Sequence, residues 1–239
     1  SRAGQISFES NHLQLGKGEF TVAGYDLAQF ESANGAIIAN SGTLLGTADL
    51  ELVTPTIAST RLSDYLIESG GLLNINSSQV ESDVDSELGA KLSLVGSSVT
   101  IGSEITLPSG ELDIRAKSGD VTISSALSVA GSSRSFYDVV KFADAGNIRI
   151  TSDNGNIVLA EGSSLSVMGD NVGGGAGTLA IAASVGSFTN QGILLGQSAA
   201  GFDGGSFTLD VGTIGDFAEI NAPLEEGGFN NLISLRIRS

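Results

Sequence analysis

The chain has 239 residues, with 27 acidic against 11 basic side chains and a net charge of −16, a balance that repels phosphate backbones and anionic headgroups and argues against nucleic acid as a partner. It contains 33 glycines against 3 prolines, no Trp, 41% apolar and only 5% aromatic residues, so it turns often and builds its core from aliphatic side chains, while a mean hydropathy of +0.20 argues against a disordered polymer. Without cysteine it has neither disulfides nor thiolate metal sites, and no apolar run approaches the ~20 residues of a membrane span.

Ser1 to Lys17 carries no basic and apolar leader pattern, so an export signal is expected outside this chain. Ile6/Phe8 is the first of many short apolar-x-apolar triplets, and Phe20-Thr21-Val22 follows. Ala23 to Asp49, with Tyr25 to Phe30, reads as a long excursion or an extra coil. Thr60 to Gly70 places Leu62, Tyr65, Leu66 and Ile67 at the i, i+3, i+4 spacing of a short helical turn, a lid or a deviant coil. The expected organisation is therefore irregular N-terminal coils with a long insertion over 1–69 and regular coils over 70–239, in one continuous solenoid.

From Leu73 the triplets recur in phase. Leu73/Ile75, Leu92/Leu94, Leu112/Ile114, Ile148/Ile150, Leu179/Ile181, Phe207/Leu209 and Leu235/Ile237 form one series, with Leu50/Leu52 and Ile6/Phe8 as earlier members. A second series holds Val99/Ile101, Val121/Ile123 and Ile157/Leu159, then Phe188 and Ile214. A third holds Ile105/Leu107, Leu127/Val129, Leu165/Val167, Ile193/Leu195 and Ile220/Ala222. Three triplets per repeat predict three faces per coil, each triplet turning two aliphatic side chains inward and one residue outward because strand side chains alternate. Stacked coils then place like residues in columns ~4.8 Å apart, so that one coil completes the core of the next.

The first inward column is expected to be Leu73, Leu92, Leu112, Ile148, Leu179, Phe207 and Leu235, and its outward counterpart Asn74, Ser93, Asp113, Arg149, Ala180, Thr208 and Arg236. This register sets Asp113 next to Arg149, on one face. The predicted fold is thus all-β, a parallel β-helix of three-strand coils. A β-sandwich is the competitor, but it would vary its loops at every turn, whereas here the variation falls at one corner, over 108–111, 130–147, 168–178 and 196–206.

Four segments are candidates for chemistry. Glu81, Asp83, Asp85 and Glu87 alternate along an extended run, a possible Ca²⁺ site; the competing reading is an outward face above inward Val80, Val84 and Leu88, and an EF-hand fails because Gly89 is misplaced. Gly173 to Gly177 and Gly201 to Gly205 resemble Ca²⁺-binding or phosphate loops but lack the full spacing, so corner turns are expected. Asp138, Asp144 and Asp153 are the acids nearest the longest insertion, and His12 is the only histidine; a glycosidase-like reading would need two of these acids in one groove. Ser132 to Ala145 concentrates Arg134, Phe136, Tyr137, Asp138, Lys141 and Phe142. Aromatics beside charges on a projecting loop suit sugar or protein recognition through Arg134, Phe136, Tyr137 and Asp138; alternatively Phe136, Val140 and Phe142 fold back to cover a flank.

Leu112-Asp113-Ile114-Arg115-Ala116, Ser118-Gly119-Asp120-Val121-Thr122-Ile123 and Ala126-Leu127-Ser128-Val129, together with Asn147-Ile148-Arg149-Ile150 and Gly155-Asn156-Ile157-Val158-Leu159, resemble the coils of filamentous haemagglutinin-like exoproteins of two-partner secretion, over roughly residues 70 to 239. The resemblance implies a right-handed parallel β-helix, export through an outer-membrane β-barrel transporter, and a secreted or cell-surface bacterial adhesin, biofilm component or stalk that binds host or matrix glycan or protein. It does not imply an enzyme or a resident cofactor. The family's leader and Asn-Pro-rich secretion domain are not in this chain, so an internal segment of a longer exoprotein is expected, and its ends suit end-to-end self-assembly. The functional alternative is a polysaccharide-acting β-helix hydrolase or lyase.

Overall fold

A computed structural model describes residues 4–33, 35–78, 82, 84–215 and 218–238. Parallel strands dominate it, arranged in three rows that the chain visits in turn, apart from the skips of the third row described below. The first row runs through Gly18–Val22, Gly42–Gly46, Asp64–Ser69, Lys91–Gly96, Glu111–Ala116, Asn147–Ser152, the start of Thr178–Asn190, Ser206–Thr213 and Leu232–Ile237. The second runs through Gln5–Ser10, Leu27–Ser32, Asp49–Val53, Leu73–Asn76, Val99–Ile101, Val121–Ile123, Ile157–Leu159 and the end of Thr178–Asn190. Because Thr178–Asn190 turns from the first row into the second, the two form one 16-stranded sheet; the third row is a separate 7-stranded sheet from Leu13–Leu15 to Ile193–Leu195.

Alternation puts the aliphatic residues between the rows. Leu92, Leu112, Ile148, Leu179 and Phe207 are successive partners, as are Leu94, Ile114, Ile150, Ile181 and Leu209, and all ten are buried. Each such side chain contributes about 1.5–3 kcal/mol through burial. The expected neighbours Asp113 and Arg149 do pair in register. They do not form an ion pair; Arg115, two residues on, takes Asp153 instead with its Nη2 at 2.8 Å, and that hydrogen bond pushes the Arg115 guanidinium further up from its ordinary value.

Several expected registers are corrected. Leu73 and Asn74 belong to the second row, stacked between Leu50/Glu51 and Val99/Thr100, and Ile6/Phe8 and Leu50/Leu52 lie in that row too. The true first-row member before Leu92/Leu94 is Tyr65/Ile67. The interval from Leu73 to Leu92 misleads because among the described residues no third-row strand intervenes there: Thr56–Ser59 pairs directly with Glu104–Thr106, joining Ile57 to Ile105. Segment 60–70 is accordingly a turn followed by strand Asp64–Ser69, with Tyr65 and Ile67 inward, and contains no helical turn. Residues 23–49 give one strand to each row, Leu27–Ser32, Ile37–Ala39 and Gly42–Gly46.

Near the other end, Ile233 stacks on Phe207, while Leu235 stacks on Leu209 and Arg236 beside Asp210, a shift of two residues from the expected columns. In the third row Leu194, not Ile193, stacks on Leu165; Ile193 is 59% exposed and Leu194 1%. Ile220/Ala222 is not a strand but part of helix Ala218–Glu226. Pro223 has no N–H to offer a parallel neighbour, and the helix instead buries Ile220 and Leu224, one turn apart, over the end of the third row.

Glycines line the point where the chain returns to the first row. Asn147 N donates to Gly110 O, Thr178 N to Gly146 O and Ser206 N to Gly177 O. A Cβ added at Gly146 would lie 1.7 Å from Gly110 O, and one at Gly177 1.8 Å from Gly146 O. This seam of bare backbone closes the turn that ends at Gly110 and the insertions that end at Gly146 and Gly177.

Candidate functional site

Two long excursions return to the first row at the same corner, separated by the short turn at 108–111. The lower one departs after Leu73–Asn76 and rejoins the stack where Glu87 N donates to Ser59 O at 2.9 Å, Leu62 N to Leu88 O at 3.1 Å and Gly89 N to Pro108 O at 2.9 Å. The upper one is an antiparallel hairpin, Ser132–Phe136 with Val139–Ala143. Between them lies a groove of about 680 Å³, whose lining includes Arg61, Asp85, Glu87, Pro108, Arg134, Phe136 and Lys141.

The hairpin follows from its residues. Alternating Ser, Val and Phe flank Tyr137-Asp138, a two-residue connection of the kind that closes a right-twisted hairpin. Tyr137 sits there at φ 55°, a left-handed conformation that bulky residues avoid, and its side chain is fully exposed. One hairpin face carries Arg134, Phe136, Val139 and Lys141, the other Ser133, Ser135, Val140 and Phe142. The second face leans on the next corner loops: the Phe142 ring meets Phe202 edge-on at 5.2 Å and lies against Gly173. The groove is lined by Arg134, Phe136 and Lys141 of the first face and also by Ser133 and Phe142 of the second, with Phe136 55% exposed.

Of the expected recognition residues, Arg134 and Phe136 line the groove, whereas Tyr137 and Asp138 stand at the hairpin tip outside it. Phe142 folds back and Phe136 does not. Of the four carboxylates offered to Ca²⁺, Glu81 and Asp83 lie outside the described residues, as does Val80; Asp85 and Glu87 form the wall facing the hairpin. Leu88, expected to point inward, is exposed on that wall. The Glu87 carboxylate accepts a hydrogen bond from Arg61 N at 2.6 Å. Among the described residues no three His, Asp or Glu side chains gather to hold a metal.

The acids near the insertion do not converge. Asp144 accepts from Gly175 N at 2.7 Å and ties two corner loops, Asp153 is held by Arg115, and Asp138 is at the tip. The glycine runs are corner turns, with Gly174 and Gly201 at positive φ and Gly177 in the seam.

Three cations that sequence reading left scattered meet here. Arg61, Arg134 and Lys141 line one groove, Arg134 and Lys141 directly opposite each other across the hairpin, and none has a carboxylate within ion-pair reach among the described residues. The signal available in the sequence was the placement of Arg134 and Lys141 symmetrically about Tyr137-Asp138. Arg61 carried no such signal. Comparison with family models, curated proteins and solved structures returns no match.

Proposed function

We propose that the chain is a stretch of right-handed parallel β-helix with three strands per coil, a structural and adhesive rod segment of a large secreted or surface-exposed bacterial exoprotein of the filamentous haemagglutinin-like kind. On this reading an outer-membrane barrel transporter exports it, and corner insertions contact a host or matrix glycan or protein. The observation that carries the reading is the combination of in-register parallel rows with a projecting hairpin at one corner. A stack of this kind presents loops from a rigid core and contributes no chemistry of its own.

Replacing Phe136 and Tyr137 with Ala tests it. Attachment of the purified chain to host cells or biofilm matrix is expected to fall severalfold with the melting temperature unchanged, since both side chains are exposed. Unchanged attachment removes the hairpin from the contact surface. A polysaccharide-acting enzyme remains the second reading because Asp85 and Glu87 share the groove; release of reducing ends from acidic polysaccharides, abolished by Asp85→Asn, would establish it over the first.

A further inference from the structure

The hairpin poses a problem of charge. Like charges placed directly opposite on a β-ribbon cost stability, yet Arg134 and Lys141 are such a pair. In a chain with 27 acidic residues, no carboxylate lies within ion-pair reach of either among the described residues. Arg61 joins them in the same groove, so three of the eleven basic residues converge there. The site offers positive charge to something anionic.

A second observation limits what that is. The hairpin is a sheet of two strands, and among the described residues neither strand pairs with another. Its outer edges therefore present unpaired N–H and C=O groups at regular spacing, a template that another strand completes. A peptide repeats its donors and acceptors at that spacing and a glycan does not. The opposite wall carries Asp85 and Glu87, so an acid in the groove is favoured only within reach of the hairpin cations.

We propose that the groove binds an extended acidic peptide, a strand with carboxylates at alternate positions, which adds to the open hairpin edge and sets its acids on Arg134 and Lys141. The inference rests on the reading of the groove as a contact site and names the partner's chemistry. The intervening positions point to the other face of the hairpin, away from Arg134, Phe136 and Lys141, and are neutral in the favoured peptide.

The test is a binding series on the whole chain at low salt. The probes are the peptide Glu-Thr-Glu-Thr-Glu-Thr, its copy N-methylated at alternate amides, the block peptide Glu-Glu-Glu-Thr-Thr-Thr, and polygalacturonate. The alternating peptide is expected to bind about tenfold or more tightly than either altered peptide, and the double substitution Arg134→Gln with Lys141→Gln to weaken it about tenfold. Arg134→Glu with Lys141→Glu is expected to transfer preference to Lys-Thr-Lys-Thr-Lys-Thr. Should the charge variants fail to fold, the N-methylated probe decides on the unaltered chain.

Equal binding of the N-methylated and parent peptides overturns the proposal, as does capture of polygalacturonate in place of the peptide. Peptide binding without hairpin-dependent attachment would sink the adhesive reading and leave this one standing. Attachment that persists while every peptide fails sinks this one alone.

Discussion

The strand around Ile114 and the hairpin around Val140 are both short and opposite in what holds them. Ile114 is buried between Leu94 and Ile150, with parallel partners on both sides. Val140 is 41% exposed on a ribbon of two strands. Burial on every side makes the stack intolerant of change, whereas the hairpin answers to its turn and to the packing of Phe142 on Phe202 and Gly173. A molecule built this way can vary its corner without disturbing its core.

The sharpest way to break that comparison is to truncate one residue in each region. Ile114→Ala is expected to cost about 2–5 kcal/mol, a transfer loss plus an unfilled cavity, while Val140→Ala is expected to stay within about 0.5 kcal/mol. Denaturant unfolding of the two variants checks this; equal losses would mean that the hairpin is part of the cooperative core.

A smaller loss probes the boundary between the regions. Gly146→Ala drives a methyl group toward the backbone of Gly110, which no side-chain rotation relieves, and about 1–3 kcal/mol of destabilisation is expected. Gly162→Ala, where there is open space but a φ of +81°, serves as the backbone-strain control. If both cost the same, the seam is a matter of conformation and not of close approach.

How far these regions were legible beforehand differs too. Asp113 and Arg149 could be placed side by side from sequence because their strands fall where three triplets separate successive coils. Leu73 was misassigned because the omitted third-row strand brings two different faces to a spacing of one coil. Leu194 was missed because Ile193, Leu194 and Leu195 are all aliphatic, and alternation carries no phase in an unbroken apolar run. Arg134 and Phe136 were marked by composition, yet the groove they share with Arg61 and Glu87 arises from the short turn at 108–111 leaving two long neighbours apart. Convergence of that kind depends on which coils are adjacent, and no local pattern encodes it.

The smallest expected effect lies on the outer face of the first row. Arg238 hydrogen-bonds Asp210, and that bond holds the Asp210 carboxyl below its ordinary value of 3.8. The pair's stabilisation is thus present above that value and lost as pH falls through the lowered one. Both groups are solvent-exposed, so only a slight effect is expected. Thermal melts of the chain and of Asp210→Asn should differ slightly near neutrality and coincide in strong acid.

The direct pairing of Thr56–Ser59 with Glu104–Thr106 leaves the third row without a strand at a level where the second row has Leu73–Asn76 and the first has Lys91–Gly96. Backbone from the 86–89 stretch takes part of that place, since Ser59 O accepts from Glu87 N and Pro108 O from Gly89 N. Asp85 and Glu87 reach the groove because the chain has room there to leave the sheet and come back.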